Sequence, residues 1–265
     1  MKFSVLMSVY IKEKPVYLDE CLASLGRQSL LPSEIIIVQD GEITDALQSV
    51  ISKYFGILPI KSVRLKENRG LAEALNEGLK HCSNELVARM DTDDVSLPHR
   101  FERQIAFMMA HPGVDVSSAW VDERDEDMDA SLFIKKLPSA HADIVKFSKR
   151  RNPISHPVSV FRKTAVMSVG AYPKIFPEDY ALWSLMLVKG HRFENIPETL
   201  LYMRTGAGFM DRRGLNFFKG ELGLLNFQRS IGFLNFYEFF INVFIRAAIR
   251  LPPARIRTLF YKFAR

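Results

Sequence analysis

The sequence predicts an α/β fold on a doubly wound, mostly parallel sheet, followed by a C-terminal helical, basic amphipathic appendage. Three observations carry this. Apolar β-type runs and helical patterns alternate through residues 1–120 with short links between them. The run EIIIVQ at 34–39 is almost wholly apolar, as in a strand covered on both faces of a parallel sheet. Residues 201–265 then change character and become Phe-rich and basic.

The elements follow in order. FSVLMSVY (3–10) is a strand rich in β-formers, and residues 15–28 are a helix with Pro15 near its first turn. After the strand at 34–39 come a helix near 43–54 and a short strand around 60–65. Residues 71–82 read as a helix with Leu71, Ala74, Leu75 and Leu79 on one face. ELVARMD (85–91) is a strand ending in acid. Residues 97–111 form a helix with Ser96 as N-cap and Pro98 in its first turn, and 114–120 form a strand. Beyond Val121 the pattern loosens: an acidic solvated loop at 123–129, a helix within 138–150, a strand at 158–162, and a strong helix at 177–190 closed by Gly190.

With 265 residues, 48% hydrophobic and 25% charged, the chain can bury a sizeable core, which excludes disorder. The formal charge of +6 is unevenly placed. Residues 201–265 hold 11 Lys and Arg against 3 Asp and Glu, a net +8, so residues 1–200 carry −2. A near-neutral body with a basic tail and no recognisable binding motif argues against a nucleic-acid partner. Two cysteines, Cys21 and Cys82, are too few for a disulfide framework and read as reduced thiols, with Cys21 on the buried face of its helix. The N-terminus lacks a signal-peptide pattern, and the longest apolar stretch, Ile231 to Ile249, is interrupted by Glu238 and Arg246.

In open α/β sheets ligands bind beyond the carboxyl ends of the strands. Three polar clusters fall there: Ser8-Val9-Tyr10, Asp40-Gly41 and Asp91-Thr92-Asp93-Asp94. Three carboxylates in four residues repel one another unless a cation neutralises them. Mg²⁺ or Mn²⁺ bridging them to phosphate oxygens is one reading. An acidic turn with Asp94 or Ser96 capping the next helix is the other. Asp40-Gly41 alone reads as a turn. Glu178-Asp179 opens a helix, where acids stabilise the dipole, or where a base is kept ionised. His156-Pro157 has no second His or Cys nearby and reads as a hydrogen-bonding loop histidine.

In combination these segments resemble the family 2 glycosyltransferases of the GT-A (nucleotide-diphospho-sugar transferase) fold. The resemblance runs in order through FSVLMSVY, IIIVQDG, Asn68-Arg69-Gly70 to Gly78, ARMDTDD, Pro98-Arg100-Gln104, His156-Pro157, Glu178-Asp179-Tyr180 to Trp183, and Leu201-Tyr202-x-Arg204. It implies a GT-A catalytic domain over 1–204, with a nucleotide-sugar-binding half (1–120), an acceptor-binding half (121–204), and a helical membrane-docking region over 205–265. It implies that Ser8, Tyr10, Asp40, Asn68, Arg69 and Asp91 hold a UDP-sugar and that Asp93 holds Mn²⁺ or Mg²⁺. Asp179 is then the general base of an inverting transfer, with Glu178, His156 and Trp183 on the acceptor side. The implied acceptor is an undecaprenyl-diphosphate-linked saccharide at the cytoplasmic face of the inner membrane, in O-antigen, capsule or exopolysaccharide assembly.

Rival readings are a GDP-mannose-type polyprenyl-phosphate transferase, a haloacid-dehalogenase-type phosphatase with Asp91 as nucleophile, and a sugar-nucleotide-binding scaffold. The tail interleaves aromatic residues with Arg and Lys, the pattern of a helix lying in an anionic membrane interface. Its alternative is packing on the catalytic domain with the arginines solvated.

Overall fold

The computed structural model describes residues 1–205 and 215–250. In chain order the first half holds β1 (Ser4–Val9), α1 (Pro15–Gly26), β2 (Glu34–Gln39), α2 (Asp45–Lys53), β3 (Ile60–Arg64), α3 (Leu71–His81), β4 (Leu86–Arg89), β5 (Val95–Ser96) and α4 (Arg100–Ala110). The second half holds β6 (Val116–Arg124), β7 (Ser131–Lys135), α5 (His141–Ser148), a 3-10 turn (His156–Val158), β8 (Val160–Arg162), α6 (Lys163–Ser168), α7 (Glu178–Val188) and β9 (Phe193–Arg204). Two helices follow, α8 (Leu215–Ser230) and α9 (Phe236–Arg250).

The strands form one sheet in the order β3-β2-β1-β4-β8-β6-β9-β5, with β7 paired to β6. β1 pairs in parallel with β2 and β4, and β2 with β3. The carboxyl ends of these four strands therefore share one edge. β8 runs antiparallel to both β4 and β6, and β6 pairs in parallel with β9. Alternate residues of β1 divide between two cores. Val5, Met7 and Val9 pack with α1, α2 and α4, while Leu6 packs with α3, α6 and α7. The links β1 to β2 and β2 to β3 thus lie on one face and the link β3 to β4 on the other. The point where the winding reverses falls between β1 and β4, which is where a doubly wound sheet opens a ligand crevice.

Local chemistry explains the elements. All six residues of β2 are buried, as a strand covered on both faces requires. Thr44 caps α2 by accepting the Leu47 N–H at 3.2 Å. The helix at 97–111 is corrected: it begins at Arg100 with His99 as N-cap and no side-chain cap. Ser96 instead pairs with Leu201 in the β5–β9 ladder and donates its N–H to Ser24 Oγ at 3.0 Å. The solvated loop at 123–129 is also corrected. Glu123 and Arg124 belong to β6, and Glu123 is buried. The turn to β7 is held by Asp125 Oδ1, which accepts the N–H of Asp129 and Ala130 at 2.9 and 3.1 Å. The strand expected at 158–162 is shorter, because His156–Val158 forms a 3-10 turn first.

The C-terminal helices pack on the body. Leu224 joins Tyr180 and Ala181 in a small core, and Gln228 Nε2 donates to Ser184 Oγ at 2.7 Å. A Cβ on Gly220 would stand 2.6 Å from Phe176 Cδ1, so α8 crosses close over the chain just before α7. The arginines of α9 do not form the expected solvated or lipid-facing row. Arg246 and Arg250 both turn inward onto buried Glu221, at 2.6 and 2.9 Å. The tail cations Arg212, Arg213, Arg255, Arg257, Lys262 and Arg265 lie outside the described residues.

Helix α3 passes close to the sheet at Gly78, where a Cβ would meet Leu6 Cδ1 at 2.4 Å and Val38 Cγ2 at 2.7 Å. Gly78→Ala gains helix propensity but forces the helix off the strands. The expected net loss is about 1–3 kcal/mol, read as a lower thermal midpoint.

Candidate active site

The sequence-predicted groups of the first half gather at the carboxyl edge of β1, β2 and β4. Tyr10 follows β1 and is 43% exposed, and Ser8 is half-buried within that strand. Asp40 follows β2 and is buried. Its Oδ1 accepts the Arg69 N–H at 2.7 Å, and its Oδ2 accepts the Gly70 N–H and Asn68 Nδ2, both at 3.0 Å. Asp40 thus fixes the turn that starts α3 and places Asn68 and Arg69 beside the β2 end. Gly41 has φ +83°, and a Cβ there would lie 2.7 Å from the Asn68 N. The residue after Asp40 must be glycine for the two loops to close.

The acidic turn after β4 is built between buried arginines. Asp91 Oδ1 accepts Arg89 Nη2 at 2.5 Å, with Arg89 only 1% exposed. Asp93 is half-buried, and its main-chain oxygen accepts Arg204 Nε at 3.0 Å. Asp94 is buried, and its Oδ1 accepts the Arg204 N–H at 2.9 Å while its Oδ2 has no partner. Thr92 donates its hydroxyl to Glu13. Arg100, fully buried, donates to the Arg89 main-chain oxygen at 2.6 Å. Burial, then the charges of Asp91 and Glu13, push the Asp93 carboxyl up to about 7. Burial, then Asp93 and Asp91, hold Asp94 well above the usual carboxylate range. The helix-capping alternative for this turn fails: Asp94 faces Arg204, and Ser96 is a strand residue.

Across the edge stands the start of α7. Asp179 Oδ2 accepts Asn152 Nδ2 at 2.6 Å, and its Oδ1 accepts the Tyr180 N–H at 2.8 Å. Burial raises Asp179, against these two donors. Burial and then the neighbouring Asp179 charge push Glu178 up to about 7. The Asp91 charge raises Glu178, Asp179 and Tyr172 alike, so the strand-end acids and the helix-start acids share one electrostatic field.

Two residues expected on the acceptor side are buried. Trp183 is 0% exposed and meets Phe193 edge-on at 5.9 Å. His156 is buried, hydrogen-bonded to the Tyr172 hydroxyl at 3.0 Å, and held neutral by desolvation. Both side chains are closed inside the protein. A groove on α4, lined by His99, Glu102, Arg103, Ala106, Phe107 and Ile196, shares no residue with this edge.

Glu13, Asn152 and Tyr172 escaped sequence reasoning, and Arg89 and Arg204 were seen only as motif members, without their roles beside the acids. Arg89 did leave a signal, as a lone charge in the otherwise apolar strand LVAR. The others act through pairings between distant segments.

The family described as Glycosyl transferase family 2 matches residues 4–176. The Amylovoran biosynthesis glycosyltransferase AmsE of Erwinia amylovora is 40% identical, covering 98% of this chain and 98% of its own length. The Escherichia coli UDP-Gal:alpha-D-GlcNAc-diphosphoundecaprenol beta-1,3-galactosyltransferase is 39% identical, covering 98% of this chain and 95% of its own. Among solved structures, S. aureus TarS 1-349 in complex with UDP-GlcNAc superposes with a TM-score of 0.66 at 21% identity, over 86% of this chain and 66% of that one. The likeness identifies the fold as GT-A. The match spans the Asp91 strand, which is fourth in the chain rather than first, and this overturns the phosphatase alternative.

Glu178 gives the site a pH signature. The folded chain holds the Glu178 proton up to about 7, against an ordinary glutamate value of 4.5. The native state binds more protons between these values, so stability falls as pH rises through that window. Glu178→Gln removes this component. Its stability relative to wild type is expected to be about 2 kcal/mol more favourable at pH 8 than at pH 4, read from denaturant melts.

Proposed function

The chain belongs to glycosyl transferase family 2 and is a glycosyltransferase, and on that footing we propose that it is an inverting enzyme. It moves a hexose or N-acetylhexosamine from a UDP-sugar to a saccharide carried on undecaprenyl diphosphate, in bacterial surface polysaccharide assembly. The observation that carries this reading is the meeting of two acid groups at one sheet edge. The strand-end set suits a nucleoside diphosphate, and the helix-start set suits a hydroxyl nucleophile. The E. coli relative's printed activity makes UDP-galactose the first donor to test.

In this reading Tyr10 stacks on the uracil, and Asp40, Asn68 and Arg69 meet its edge. Ser8 and Asp91 lie by the ribose and diphosphate. The donor set fits a hard divalent cation. It offers oxygens only, Asp93 is pushed up to about 7 by its surroundings, and Asp94 Oδ2 is buried without a partner. Among the described residues no three His, Cys, Asp or Glu side chains are grouped to hold a metal ion, and in this reading phosphate oxygens of the nucleotide would supply further ligands. Asp93 would hold Mn²⁺ or Mg²⁺, which would supply Lewis-acid neutralisation of charge on the departing UDP. Asp179 takes the proton of the acceptor hydroxyl as that oxygen bonds to the anomeric carbon and the bond to UDP breaks. Asn152 holds the Asp179 carboxylate in place, and burial raises its basicity. One displacement inverts the anomeric centre.

Two outcomes test this. With a UDP-sugar panel and a synthetic sugar–diphosphate–lipid acceptor, Asp179→Asn is expected to lower kcat by about 10²–10⁴ while UDP affinity stays within a few-fold. Turnover near wild type refutes the base. EDTA is expected to abolish transfer and Mn²⁺ to restore it, whereas full activity in chelator removes the metal from the reading.

A further inference from the structure

All three charged residues of α9 are turned away from its outer face. Glu238 closes a capping box with Asn235: the Glu238 N–H reaches Asn235 Oδ1 at 2.8 Å, and the Asn235 N–H reaches Glu238 Oε2 at 2.8 Å. Arg246 and Arg250 are bound to buried Glu221 at 2.6 and 2.9 Å. Asn242 is buried too, donating to the Lys149 main-chain oxygen at 2.9 Å. The face left outside is apolar along its length. It presents Phe236 (57% exposed), Tyr237 (77%), Phe240 (53%), Ile241 (46%), Phe244 (80%) and Ile245 (43%). Their spacing makes one continuous stripe. Stripes of this kind mark a docking surface rather than ordinary solvent contact.

We propose that this stripe docks on an anionic lipid bilayer by apolar insertion, with α9 lying flat in the interface. The inference deepens the reading of a lipid-linked acceptor and rests on it. The chain beyond Arg250 argues for lipid as the occupant. Residues 251–265 carry Arg255, Arg257, Lys262 and Arg265 and no acid, with Phe260, Tyr261 and Phe263 among them. An apolar face continued by a cationic, aromatic segment complements an anionic interface. No described helix is long and apolar enough to cross a membrane. The arginines of α9 are structural, tying α9 to α8. Attraction to anionic headgroups falls to the segment after Arg250, and insertion to the aromatic stripe.

The test uses the full chain and vesicles of phosphatidylcholine with or without a quarter phosphatidylglycerol, read by co-sedimentation. The proteins are wild type, the triple variant Tyr237→Ser/Phe240→Ser/Phe244→Ser, and Met109→Ser as a control at an exposed apolar residue of α4. Wild type and Met109→Ser are expected to partition to the anionic vesicles. The triple variant is expected to bind about tenfold more weakly, with an unchanged circular dichroism spectrum and unchanged transfer to a short water-soluble acceptor. If the triple variant loses its fold, Phe244→Ser alone replaces it, with a smaller loss expected. Equal partitioning of variant and wild type overturns the proposal, as does wild type that binds neither vesicle. Wild type that is dimeric by light scattering, made monomeric by the triple variant, assigns the stripe to a second copy instead. Absent transfer to the lipid-linked acceptor with intact vesicle binding refutes the acceptor reading and leaves this one standing.

Discussion

The structure turns on the electrostatics of one short turn. Asp91, Asp93 and Asp94 follow β4 into a buried corner, and their mutual repulsion has to be held by something. Arg89 grips Asp91, Arg100 braces the Arg89 main chain, and Arg204 holds Asp93 and Asp94. Arg204 comes from the end of the longest strand, 111 residues away from Asp93 in the chain. It also reaches Glu20 on α1 and stacks over Tyr17 at 3.9 Å. The two halves of the fold are thus joined through the acids. A carboxylate kept near a pKa of 7, as Asp93 is, is a group poised to gain from an incoming cation.

The same economy of charge appears in the second half. Glu178 and Asp179 begin α7 with Tyr180, Ala181 and Trp183 anchoring the helix beneath them. Helix α8 lies over that anchor through Leu224, Gln228 and the close pass of Gly220 on Phe176. The C-terminal pair is therefore continuous in packing with the acid-bearing helix. A surface that seats α9 on a bilayer also sets the distance of Asp179 from that bilayer.

Most of the fold was legible in the sequence because period and punctuation agree. The run EIIIVQ matches β2 residue for residue, and the Leu71–Leu79 stripe matches the buried face of α3. Legibility ended where a residue's partner lies far along the chain. Ser96 looks like a helix cap by local pattern, but its backbone is claimed by β9. The resemblance puts Trp183 and His156 on the acceptor side, and only the packing shows both side chains closed inside. Arg246 and Arg250 read as a solvated or lipid-facing basic row until Glu221, a full helix away, is placed beneath them. The site was half legible. Its acids were visible as strand-end and helix-start motifs, while the arginines that confine them are set by tertiary contact.

The central claim is that the carboxylates after β4 receive a nucleoside diphosphate and its cation. The most direct measurement is anomalous scattering at the manganese edge from crystals grown with UDP and Mn²⁺. The account predicts one strong peak between the diphosphate and the Asp93 carboxylate, with the uracil against Tyr10. UDP seated elsewhere, for example in the groove along α4, or a peak remote from Asp93, would contradict it.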